Sequence, residues 1–115
     1  MAQWQGQFSG HTHETRVDDL EGALRLAIHA FTAATSEEER RSKAKSARNL
    51  AKRLLSARRR VLKARLVAAL RVVTEEAHER RATEIASLRQ REATLAQSGV
   101  HGILKEFGAP DAMTT

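Results

Sequence analysis

From Ser36 to Ser98 the chain contains neither glycine nor proline. These two residues are the strongest local breakers of regular structure, so little in this long interior stops a helix once it has begun. Cysteine and tyrosine are absent, and Trp4, Phe8, Phe31 and Phe107 are the only aromatic residues. The core must be assembled from Ala, Leu, Val and Ile, a set that suits helices better than sheets when β-branched and aromatic residues are few. With 115 residues, the chain has material for one domain with a modest core. The expectation is an all-α fold: a small helical bundle built around one long basic helix, with a coiled-coil hairpin. Residues 1–14 form an N-terminal arm, 15–108 the helical domain and 109–115 a disordered tail.

Local signals divide the helical domain. "TRVD" at Thr15 places an acid three residues after threonine, a variant capping box. Val17, Leu20, Leu24, Ala27, Ile28 and Phe31 then recur at helical spacing. "SEEE" at Ser36 is a full capping box, with acids suited to a helix N-terminus. The helix it opens carries Ala47, Leu50, Ala51, Leu54, Val61, Ala68 and Val72 on one face. "VVTEEA" at 72–77 is the expected break, with Thr74 capping a third helix; one uninterrupted helix to Ser98 is the competing arrangement. Ile85, Leu88 and Leu95 give the third segment a thin coiled-coil-like seam. Gly99 ends it, and "VHGILKEFG" forms a short last helix.

Charge is distributed in blocks. Residues 1–39 carry two basic and seven acidic side chains, residues 40–71 thirteen basic and none acidic, and residues 72–115 five basic and seven acidic. At 100° per residue, Arg41, Lys45, Arg48, Lys52, Arg59 and Lys63 fall within a sector of ~60°. Arg60 lies on its flank, and Leu50, Leu54 and Val61 lie opposite. A solvated helix surface usually mixes signs and pairs Glu with Lys four residues apart. A cationic stripe without acids suits a phosphate backbone, where each neutralised phosphate releases counterions. No helix-turn-helix, zinc-finger or ribonucleoprotein motif accompanies it, so sequence reading is not expected. Arg58 and Arg65 lie on the apolar side. Their stems are expected to pack while the guanidinium groups reach water; the alternative is a buried pair with Asp19, Glu21 or Glu84.

"FSGHTHETR" at 8–16 raises a metal question. Histidines two apart share a face when the backbone is extended, so His11 and His13, with Glu14, can be imagined as ligands. Gly10-His11-Thr12-His13 also resembles the last motif of calcineurin-like metallophosphatases. That resemblance covers four residues and implies a large β-sandwich with many further ligands, for which this chain has no room. His29, His78 and His101 lie in other segments and nothing in their spacing brings them together. Thr12 or Thr15 as a cap, with the histidines as polar linker, accounts for the stretch. No catalytic residue, metal or cofactor is assigned.

The expected function is therefore non-enzymatic: an accessory or assembly subunit holding nucleic acid without reading sequence. The alternative is an adaptor or regulator, of antitoxin or assembly-factor type, whose stripe meets an acidic protein. Leu66, Val67 and Leu70 point away from the face set by Leu54 and Val61, which favours a homo-oligomer or a larger complex. Trp4 and Phe8 either fold back onto the bundle or anchor a partner. No apolar run approaches the ~18 residues of a membrane span. A basic amphipathic helix can lie on anionic lipid, but this apolar face is explained as well by a core. No membrane is assigned, and a cytoplasmic location is the default for a start without a signal pattern.

Overall fold

The structure is a computed structural model that describes residues 12–71 and 75–114, with side chains described over 16–71 and 79–113. The described residues hold four helices and no strand: α1 (Thr12–Ala33), α2 (Glu37–Leu70), α3 (Glu75–Glu106) and α4 (Asp111–Thr114). The all-α bundle is as expected. The Cα atoms span 60 × 39 × 13 Å, a flattened slab. The central member is α2, with α1 packed on one side and α3 on the other.

The capping box at Ser36 forms. Glu39 N–H donates to Ser36 Oγ at 3.1 Å, and Glu39 Oε2 accepts from Thr35 N–H at 3.3 Å. Three acids in the first turn complement the helix dipole. At the other end Arg71 N–H donates to the Val67 and Ala68 carbonyls, closing α2. The break falls in the expected segment; Val72 and the proposed cap Thr74 lie outside the described residues.

The main core unites all four helices. Leu24, Ile28 and Phe31 of α1 pack with Ala44, Ala47, Ala51 and Leu54 of α2, and with Ile103 and Leu104 of α3. Three alanines on the α2 side keep the helix surfaces close, while leucines and Phe31 supply most of the buried volume. A second, smaller cluster joins only α2 and α3 through Leu62, Ala69 and Leu88, with Leu66, Ile85 and Leu95 against them. Here the buried face of α2 has turned toward α3. Ala69 is buried and Ala68 is exposed, contrary to the expected face. The reason is that one neighbour, rather than two, packs on this end.

Gly99 decides where the chain goes next. Its φ of 58° and ψ of −151° interrupt α3, in a region that residues with a Cβ essentially do not occupy. Because Arg59 meets Glu92, a straight α3 would carry Glu106 alongside the start of α2. Instead Glu106 meets Arg58. The bend swings residues 100–106 back over the main core and brings Ile103 and Leu104 into it. The segment ends in a Schellman arrangement: Gly108, at φ 73°, donates to Lys105 O, and Ala109 N–H donates to Leu104 O.

Two expected boundaries need correction. The arm is shorter than 1–14, because α1 begins at Thr12. The tail expected to be disordered over 109–115 is ordered where it is described: α4 forms over Asp111–Thr114, and Met113 is fully buried in the main core, while Thr115 lies outside the described residues. Four residues are too few to show a period, so only tertiary contact reveals this anchor. Met113→Ala should lower the unfolding free energy by about 2–3 kcal/mol, toward the lower end for buried Met-to-Ala changes because a chain end can relax. Met113→Leu should cost less than about 1.5 kcal/mol. Urea titration of both variants checks this; equal midpoints for Met113→Ala and the unaltered protein would place the methionine outside the core.

Candidate anion-binding surface

The bundle sorts the basic residues of α2 into those that hold it together and those that face outward. Arg58 is the chief internal member. Its side chain is only 19% exposed; Nη2 donates to Glu21 Oε2 of α1 at 2.7 Å and to Glu106 Oε2 of α3 at 2.7 Å. Nη1 donates to Glu106 Oε1 at 2.8 Å, so the Glu106 contact is bidentate. The guanidinium also lies 5.8 Å from the Phe107 ring centroid, and that of Arg25 lies 5.1 Å from it. The expectation that Arg58 would reach water is therefore corrected. It ties three helices together, and burial of its stem makes full pairing of the head necessary. The hydrogen bonds to Glu106 are the main cause raising the Arg58 pKa. The same bonds hold the Glu106 carboxyl below its ordinary value, against the opposing effect of its partial burial. Arg65 is exposed and engaged in its own contacts.

Two members of the predicted stripe are also engaged. Arg59 donates from Nε and Nη2 to Glu92 Oε1 of α3 at 3.0 and 2.7 Å. Arg48 Nη1 donates to Met113 O at 3.4 Å. Arg41 makes only an open, exposed approach of 3.9 Å to Glu37. The remaining four, Lys45, Lys52, Arg60 and Lys63, are exposed and form no ion pair with another described residue.

The outward cations do not stand alone. A groove of about 490 Å³ between α1 and α2 is lined by Arg16, Lys52, Arg53 and Arg60, with Leu20, Ser56 and Ala57. Its lining contains no carboxylate. A second groove, of about 530 Å³ between α2 and α3, adds Lys63 and Arg89 to Arg59 and Arg60, with Glu92 as its one acid. Ser56 and Arg60 line both grooves, so the two meet along the outer edge of α2. Arg16, Arg53 and Arg89 were not among the predicted site residues. Arg53 was within reach of the sequence, since it lies seven residues before Arg60 and only ~20° from it on the helix. Arg16 and Arg89 belong to other helices and join the surface only through packing.

The predicted partner residues divide. Leu66 is half-buried against the α2–α3 cluster, so it is not an outward contact as expected; the α3 helix covers it. Val67 and Leu70 remain 43% and 45% exposed. Val67 lines a shallow depression with Arg60, Lys63 and Arg71, and Leu70 follows it within one turn of α2. Trp4, Phe8 and His11 lie outside the described residues, as do the side chains of His13, Glu14 and His78. His29 and His101 are exposed on different helices. Among the described residues no three His, Cys, Asp or Glu side chains are grouped as metal ligands would be. A further cleft of about 710 Å³ lies on the opposite side, over Val61 and Leu62, with Val17 and Leu95 on its walls. No helix among the described residues is long and apolar enough to cross a membrane.

Comparison with protein-family models, curated proteins and solved structures finds no match.

The Arg58 bridge predicts a pH dependence. A carboxylate whose pKa is lowered by folding adds stability in full above its ordinary pKa, near 4.5. That contribution is lost as pH falls through the lowered value. Glu106→Gln should therefore lower the melting temperature at pH 7 and have much less effect once the pH is below the lowered Glu106 value, where the native carboxylate is itself protonated. An equal shift at both pH values would mean that packing, not charge, is lost.

Proposed function

We propose that this protein is a non-enzymatic accessory or assembly subunit that holds nucleic acid by its backbone, through the outward face of α2. The observation that carries this reading is the set Lys45, Lys52, Arg60 and Lys63, exposed along one helix and without carboxylate partners among the described residues. Ordinary solvated faces mix signs. Here self-repulsion is left standing on a rigid helix, which is unfavourable unless a polyanion relieves it. Contacts of this kind position a protein on phosphates without carrying sequence information.

A second reading is supported by Val67 and Leu70. Two exposed apolar side chains beside Arg60, Lys63 and Arg71 suit an acidic amphipathic segment of a protein partner, or pairing with a second copy of the chain. An adaptor or regulator would use the same cations for a carboxylate-rich surface.

The two readings separate experimentally. The triple charge reversal Lys52→Glu, Arg60→Glu, Lys63→Glu should abolish binding to random-sequence nucleic acid at about 100 mM salt while the far-ultraviolet circular dichroism stays helical, since these contacts are chiefly phosphate neutralisation. Retained affinity in a folded triple variant would remove the nucleic acid reading. Leu70→Glu should convert any oligomer to monomer in light scattering; a protein that is monomeric before the substitution would remove self-association.

A further inference from the structure

We propose that the groove between α1 and α2 is a seat for backbone phosphate, and that the polymer it takes is double-stranded. This rests on the nucleic acid reading above and adds a site and a substrate class to it. The groove gathers four cations from two helices: Arg16 from α1, and Lys52, Arg53 and Arg60 from α2. None forms an ion pair with another described residue, and the lining holds no acid. The contrast with the rest of the molecule is direct. Arg58 and Arg59, next in sequence to Arg60, are neutralised by Glu21, Glu106 and Glu92. Acids thus meet the cations that face the bundle and are missing where the groove opens.

The chemistry favours phosphate. Three of the four cations are arginines, whose planar donor forks match phosphate oxygens in pairs. Ser56 places a hydroxyl donor among them. Leu20 and Ala57 give the groove an apolar wall, which strengthens charge interactions near it. An empty groove keeps four like charges together, so an anion relieves repulsion as well as making new bonds.

Double-stranded polymer follows from two features. Single-strand binders combine a basic channel with aromatic side chains, and stacking contributes about 1–3 kcal/mol per base. The two described aromatic residues are elsewhere: Phe31 is buried in the core, and Phe107 lies beside Arg25 and Arg58. Where the described residues offer no stacking platform, charge density decides, and a duplex carries a charge per ~1.7 Å of axis, twice that of one of its strands. The second feature is the neighbouring groove with Lys63 and Arg89, joined to the first at Ser56 and Arg60. Two cationic channels on either side of one ridge suit two phosphate rows flanking a duplex groove.

The test uses the full chain with Arg16→Gln and Arg53→Gln combined, titrated against a random 20-bp duplex, one of its strands, and inorganic polyphosphate over a salt series. The native protein should favour duplex over single strand by about tenfold or more, and the double variant should lose about tenfold or more of duplex affinity, with a salt slope smaller by about two. Its melting temperature without ligand should be unchanged or higher, because like-charge repulsion is reduced. Should that variant unfold, Arg16→Lys/Arg53→Lys keeps the charge and should keep the salt slope. Unchanged duplex affinity and slope in a folded Gln variant would overturn the phosphate seat while leaving the wider reading intact. Equal or tighter binding of single strand, or of polyphosphate, would overturn the duplex assignment. Binding to none of the nucleic acids would overturn both this inference and the reading beneath it.

Discussion

Between Glu39 and Glu75 the chain has no acidic residue, so beyond the reach of Glu37, Glu38 and Glu39 in its first turn every carboxylate that neutralises α2 has to come from another helix. This constraint organises the molecule. Arg58 is paired by Glu21 of α1 and Glu106 of α3, and Arg59 by Glu92 of α3. Such pairs are directional where apolar contacts are not. They set the register of α1 and α3 along a spine whose alanine-rich face would tolerate sliding. Their worth lies in the penalty for wrong alignments, since leaving the largely buried Arg58 unpaired would be strongly unfavourable. The pairing of Arg59 is more open and contributes less.

The same constraint defines what is left over. Cations on the bundle-facing flanks of α2 are within reach of the flanking helices; those on the outer edge are not. Arg60 follows two paired arginines yet lines both outer grooves. The division is geometric, since successive residues on a helix point 100° apart. One basic block thereby serves as tertiary fastening on one side and as an uncompensated cationic surface on the other. The slab shape helps, because a flattened bundle leaves the outer edge of its central member uncovered.

Much of this was legible in the sequence. The Ser36–Glu39 box, the apolar spacing from Val17 to Phe31 and the start of a third helix at Glu75 are local features, and each is formed as read. Gly99 was legible as a stop, but its consequence was not. The return of residues 100–106 over the core depends on a backbone angle that sequence spacing does not encode. Glu106 was missed as the partner of Arg58 for that reason, while Glu21, on an unbroken helix, was among the candidates. Met113 was missed because a single anchor in a four-residue helix has no periodic signature. Along the stripe, the wheel placed Lys45, Lys52 and Lys63 on the outward side but could not tell that Glu92 would reach Arg59. Arg16 and Arg89 joined the surface through contacts between helices, beyond any pattern within one.

The central claim is that the outer edge of α2 meets phosphate. Lysine labelling of the native protein, with and without saturating duplex, maps that contact residue by residue. Lys52 and Lys63, and to a lesser degree Lys45, should lose reactivity when duplex is present, while Lys105, exposed in the last turn of α3, should not. Unchanged labelling of Lys52 and Lys63 under saturation, or protection centred on Lys105, would contradict it.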